Sequence, residues 1–395
     1  MSQQDTMVTS EEGEFETDDS EDSVPQTKPW NPTDIRVTTK TWSLKQTIDD
    51  INDGSIDIVP NFQRDYIWGK KQQTLLIESI LLGIPMPAFY FNADKQGVLQ
   101  VVDGVQRLST IRNFAKMTTM EKDNKGGFSL SDDLEYLKEL EGKQFHELDA
   151  LLRRRFNQTQ IVVHVIDATS PVDLKYDIFK RINTGGTPLN PQEIRHCMSK
   201  QRSRNFLKKL ALSDEFREVV AIKPKRMQDQ EMVLRFVAFR QLMVLDSTFG
   251  NYPKDQTLGG FLLKAAMDID DADKVPEKVL HAIESDFRRA LQNASKIFGQ
   301  QVFRKVMKES KEPKGAKQRA RMSRPLFEIW TVALTQILEL TDDLVERIRL
   351  NARNAMTHDL DFIDSYTSGT GKPERIRLRF TKALGIVRKA MEEGQ

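Results

Sequence analysis

The chain has 395 residues, a formal net charge of +1 at pH 7, and 38% apolar against 30% charged residues. This length exceeds one ordinary domain and predicts two globular parts. The single cysteine, Cys197, excludes an internal disulfide and a cysteine metal cluster and favours a reducing, cytoplasmic setting. The longest apolar stretch, "SILLGIPMPAFYF", is broken by Pro85 and Pro87 and is too short for a membrane span, and the first residues lack the basic start and apolar core of a signal peptide.

Residues 1–27 hold nine acidic and no basic side chains, so the rest of the chain carries +10. Such a segment buries too little apolar surface to offset its ordering entropy, and residues 1–30 are expected to form a disordered acidic tail. It either solubilises the protein or covers a basic surface when no polyanion is present.

After the tail the pattern predicts a short strand, a helix from Ser43 with Leu44, Ile48 and Ile51 on one face, a stop at Gly54 and a strand at Ile56–Ile58. "KKQQTLLIESILLG" reads as a helix ended by Gly83. Two extended runs, "AFYFN" and "VLQVV", follow, separated by a turn, and the second enters a helix through Asp103-Gly104-Val105-Gln106-Arg107. A further helix from about Phe145 to Arg155 precedes the strand "TQIVVHVID", and "PVDLKYDIFKRIN" is helical. Beyond Pro191 the long amphipathic runs are helical only. The expected fold is α+β: a mixed α/β core over residues 31–190, then a mostly helical, basic domain over 191–395.

Three segments carry candidate chemistry. A strand ending in Asp-Gly and feeding a helix gathers backbone N–H groups and the positive helix end at one point. There Gly104 permits close approach, Arg107 offers a planar fork for phosphate oxygens, Gln106 an amide, and Asp103 a ligand for a Mg²⁺ that bridges a phosphate. The bland alternative is a common Asp-Gly turn followed by a surface arginine. Gln63 and Arg64 form a second Gln-Arg pair, flanked by Phe62, Tyr66 and Trp68, which suits a phosphate or base or, equally, a cation–π contact. "RINTGGTPLN" places Asn183, Thr184 and Gly185 in a loop able to present N–H groups to a phosphate, but it has no P-loop lysine. The same residues also read as a helix stop before a capping box at Asn190 and Glu193.

The stretch "IVPNFQRDYIW…VLQVVDGVQRLSTIRNF" together with "IFKRINTGGTPLNPQEIR" resembles, over roughly residues 40–200, the N-terminal domain of the GmrSD-type restriction enzymes, whose signatures are P-x-y-Q-R-x-Y-x-W and D-G-Q-Q-R. The resemblance implies a ParB-like core related to sulfiredoxin, binding and hydrolysis of a nucleoside triphosphate with Mg²⁺, and action on modified or foreign DNA in restriction or phage defence. Carried over by position, Gln63, Arg64, Gly104, Asn183, Thr184 and Gly185 are expected to hold nucleotide, with Asp103, Gln106 and Arg107 as the catalytic set and Asp103 on the metal. Val105 stands where the motif has its first glutamine, which bears on hydrolysis more than on fold. Fused relatives add an HNH nuclease, which needs clustered His and Asn residues. The five histidines here are scattered, so any nuclease is expected on a separate subunit. His164, inside "IVVHVI", reads as a structural strand residue.

Residues 304–324 are strongly basic, and Lys314, Lys317, Arg319, Arg321 and Arg324 are expected to track a DNA backbone, with a solvated charged face as the alternative. Two functional readings follow: a nucleotide-dependent, DNA-interacting protein with possible NTPase activity, or a non-catalytic DNA-binding scaffold that recruits a separate nuclease.

Overall fold

The computed structural model describes residues 36–58, 68–94, 96–116, 128–182, 190–220, 226–253, 257–305 and 321–393. The acidic tail therefore lies outside the described residues. The chain forms two compact units, the first ending at Met198 and the second starting at Ser199.

The first unit is built on a mixed five-stranded sheet of order β1-β5-β3-β4-β2, made of β1 (Val37–Ser43), β2 (Ile56–Asp57), β3 (Phe89–Ala93), β4 (Leu99–Asp103) and β5 (Gln160–Ile166). β1 runs antiparallel to β5, β5 parallel to β3, β3 antiparallel to β4, and β4 parallel to β2. Around the sheet lie α1 (Leu44–Asn52), α2 (Lys70–Leu82), α3 (Val105–Ala115), α4 (Ala150–Gln158), α5 (Val172–Ile182) and α6 (Pro191–Met198).

Local chemistry sets these boundaries. Ser43 accepts from the Gln46 N–H and caps α1. Gly83 closes α2 in the left-handed region at φ 81°. The capping box that opens α6 is present: Asn190 Oδ1 accepts from the Glu193 N–H at 2.9 Å, and Glu193 Oε2 from the Asn190 N–H at 2.7 Å. The expected helix from Phe145 divides into a short 3₁₀ turn at Phe145–Glu147 and α4, because Asp149 caps α4 by accepting from the Leu152 N–H.

One face of the sheet, with Phe89, Phe91, Val101, Ile161 and Val163, forms a core with Leu44, Ile77, Leu108, Phe114 and Phe156 of α1 to α4. A buried carboxylate ties this layer together. Glu78 of α2 accepts from the N–H groups of Glu135, Tyr136 and Leu137 at 3.1, 2.7 and 2.8 Å. Burial pushes its carboxyl up, but the three donors outweigh this and hold it below the ordinary range. His164 lies in β5, where its ring packs at a tilt against Tyr90, centroids 4.8 Å apart, and hydrogen-bonds with Thr39 Oγ1 at 2.8 Å.

The second unit comprises α7 (Gln201–Ala211), α8 (Asp214–Val219), α9 (Gln228–Leu245), α10 (Leu258–Ile269), α11 (Glu277–Phe298), α12 (Arg324–Ala333), α13 (Asp342–His358), α14 (Leu360–Thr367) and α15 (Pro373–Glu392). It is helical as expected; among the described residues its β structure is limited to one bridge between Arg304 and Met322. Inside its apolar core sits an ionic cluster. Glu328 of α12, fully buried, receives Arg235 of α9 at 2.5 Å and Arg379 of α15 at 2.7 Å, and Arg235 also reaches Glu231 at 2.8 Å. Each of these charges has an opposite partner, and the cluster links α9, α12 and α15 through the core. Among the described residues no helix is long and apolar enough to cross a membrane.

Candidate nucleotide site at the β4–α3 turn

Asp103 ends β4, Gly104 turns the chain at φ 95°, and α3 begins at Val105. The glycine is required twice. The dihedral lies in the left-handed region, and an added Cβ would stand 2.3 Å from Phe89 Cδ1 and 2.8 Å from Cε1. Gly104 gives the first turn of α3 no side-chain cap, and the first N–H groups of a helix have no partners within it.

Arg107 points inward. Its Nη2 donates to Asp103 Oδ2 at 2.9 Å and to the Ala88 carbonyl at 3.1 Å, its Nη1 donates to the Pro87 carbonyl, and its guanidinium carbon lies 4.2 Å from the Phe89 ring centroid. The side chain is only 11% exposed. Burial lowers its pKa, which the nearby Asp103 carboxylate opposes. A guanidinium stays protonated at neutral pH regardless. The expected phosphate fork is thus turned into the protein, where it clasps the turn to the segment entering β3.

Gln106, on the same turn, places its amide Oε1 out of solvent, with no hydrogen-bond partner among the described residues. An unpaired buried acceptor costs free energy unless a ligand or water donates to it. Val105, in place of the motif's glutamine, packs against the apolar core. Asp103 is 32% exposed, and its Oδ2 is engaged by Arg107. Among the described residues no three His, Cys, Asp or Glu side chains gather as a metal cage. A Mg²⁺ here would have Asp103 as its protein ligand and would draw its other ligands from water and a bound phosphate; the described residues offer no cage of protein ligands alone.

Gln63 and Arg64, Asn183, Thr184 and Gly185, and Lys314, Lys317 and Arg319 lie outside the described residues. The described flanks of two of these segments adjoin β4: β2, which precedes residues 59–67, runs parallel to it as its direct neighbour, pairing with Leu99 and Gln100, and α6, which follows residues 183–189, packs against it. In the second unit Arg321 is exposed. Arg324 is not the surface contact it was expected to be. It is 9% exposed at the start of α12, with Nε 3.5 Å from Glu231, because the α12 face there enters the core.

Sequence reasoning missed the inward clasp and the orphaned amide. The clasp was signalled only by Arg107 standing four residues after Asp103, the helical spacing that favours an ion pair.

Fold and turn together define a mixed α/β domain with a strand–glycine–helix site, followed by a helical unit. Residues 44–199 match the family model of the GmrSD restriction endonuclease N-terminal domain, and this part of the chain belongs to that family. No curated protein and no solved structure matches the chain.

Proposed function

We propose that this protein is a nucleotide-dependent, DNA-interacting component of a restriction-type system, binding a nucleoside triphosphate with Mg²⁺ at the β4–α3 turn. The observation that carries the reading is the buried, unpaired Gln106 Oε1 beside an uncapped helix start. The α3 N–H groups suit phosphate oxygens, and Gly104 lets them approach. Gln106 Oε1 suits a donor, whether a nucleotide N–H or O–H or the attacking water. Asp103 holds the metal or that water, and Arg107 acts as a positioning residue through its clasp. Bound Mg²⁺ would offset phosphate charge and polarise the terminal phosphoryl group. Gln63, Arg64, Asn183, Thr184 and Gly185 complete the nucleotide contacts in this reading. The basic segment with Lys314, Lys317, Arg319 and Arg321 contributes sequence-independent DNA contacts.

A second reading, a binding subunit that does not turn over and recruits a separate nuclease, is favoured by Val105 and by the ion pair that already occupies one Asp103 oxygen. Phosphate release from each of the four NTPs with Mg²⁺, with and without DNA, separates the two. Release that disappears in Asp103→Asn identifies an NTPase. Nucleotide binding without release identifies the subunit reading, and no binding in the folded protein rejects both uses of the turn.

A further inference from the structure

We propose that the first unit holds a second polyanion site, a groove between α4 and the β1–α1 junction that binds a nucleic-acid strand through its phosphates. The inference deepens the DNA-interacting part of the proposed function and is independent of the nucleotide turn.

The starting point is a helical stripe. Ala150, Arg153, Arg154, Asn157 and Gln158 recur at the spacing of one α4 face, while Leu152 and Phe156 turn to the apolar core. A polar helix face ordinarily meets bulk water. This one lines an open groove of about 600 Å³, with Phe145 beside it and Ser43, Lys45 and Gln160 on the other wall. Gln160 opens β5 and stands in register with Ser43, the last residue of β1, so paired backbone fixes that wall.

The charges favour a phosphate chain. The Arg153 and Arg154 side chains are exposed and have no ion-pair partner among the described residues. The local acids are committed elsewhere: Asp49 pairs with Lys45 at 3.0 Å, Asp149 caps α4, and Glu147 accepts from the Gln144 N–H. The third arginine of the run, Arg155, donates to the Leu81 carbonyl instead of entering the stripe. Two adjacent guanidiniums free for bidentate phosphate contact, flanked by the amides of Asn157, Gln158 and Gln160, suit a sugar–phosphate backbone better than a single carboxylate. Phe145, half-buried against Phe156 and Phe114, offers a rigid aromatic edge to a base.

Position adds a reason. β5 runs parallel to β3, and Tyr90 of β3 pairs with both His164 and Asp103, so the start of β5 and the end of β4 lie at the same end of the sheet, two strands apart. A strand held on α4 therefore passes the end of the sheet that carries the nucleotide turn.

The test uses the full chain and its Arg153→Gln/Arg154→Gln variant, with anisotropy of labelled single- and double-stranded oligonucleotides measured from 50 to 300 mM salt, values chosen to span a range of about sixfold in ionic strength. The variant should bind about tenfold more weakly at low salt, and its log–log salt slope should fall by about 1.4 for a single strand or 1.8 for a duplex. Its melting temperature and its nucleotide binding should match the parent. Unchanged oligonucleotide affinity and slope overturn the proposal, as does a parent chain that binds no oligonucleotide. Polyglutamate competing as well as DNA overturns the assignment to nucleic acid. A parallel loss of nucleotide binding overturns the independence of the groove from the turn. A Lys317→Gln/Arg319→Gln variant separately tests the basic segment of the second unit.

Discussion

The Arg107 guanidinium carbon sits over the Phe89 ring, 4.2 Å from its centroid, while the group donates to Asp103 and to the two carbonyls that precede that ring. One side chain thus fixes the end of β4, the start of α3 and the approach to β3. Loss of phosphate release in an Arg107 variant would therefore report a displaced turn as readily as a lost phosphate contact.

Truncation should reveal this role as stability. Arg107→Ala removes the three hydrogen bonds and the ring contact and leaves Asp103 without its cation, so urea unfolding should show a loss of about 2–4 kcal/mol. Arg107→Lys keeps the charge but not the planar fork and should recover less than half of that. Unfolding of Arg107→Ala at the parent's urea midpoint would mean that the clasp does not hold the turn.

Gly104 makes a sharper demand. An alanine there adopts a disfavoured φ of 95° and meets Phe89 at 2.3 Å, and should cost about 2–4 kcal/mol. The steric part is coupled to Phe89, so Gly104→Ala/Phe89→Leu should lose less stability than the sum of the single changes. Strict additivity in that cycle would show that the backbone conformation alone makes the glycine necessary.

Acid should expose Glu78. Its folded-state pKa is depressed below the ordinary 4.5, so the unfolded chain binds the proton more tightly. The stability it contributes is present above about pH 4.5 and is lost as pH falls through the lower folded value. Unfolding free energies of the parent and Glu78→Gln, measured between pH 7 and pH 3, should differ most at neutral pH and converge on acidification. A gap that stays constant over that range would contradict the role of the three N–H donors.

Much of the fold was legible because local chemistry and final structure agree. Ser43 and Asn190 cap the helices that their sequence context predicts, Gly83 ends α2, and the apolar strand runs at 89–93, 99–103 and 160–166 pair as strands. The order of the strands was not legible, since the neighbours β1 and β5 are more than a hundred residues apart. The Arg235–Glu328–Arg379 cluster was hidden for a related reason: charged residues within amphipathic runs read as a solvent face, and only tertiary packing buries them together. At the candidate site the sequence located the turn, while the direction of Arg107 depended on Phe89 and on two carbonyls of the segment entering β3.

The central claim, a nucleotide bound beside Gln106, has a direct test in which stability and binding move apart. Replacing the unpaired amide by a similar apolar side chain, Gln106→Met, should leave unfolding stability equal or slightly higher, because it removes an unsatisfied buried acceptor. The same variant should bind a fluorescent nucleoside triphosphate with Mg²⁺ about tenfold more weakly, or about 1.4 kcal/mol, by losing the one hydrogen bond the ligand gives that acceptor. Weakened nucleotide binding in a fully stable Gln106→Met protein is the predicted result; parent-like affinity in that protein would contradict the placement of nucleotide at this turn.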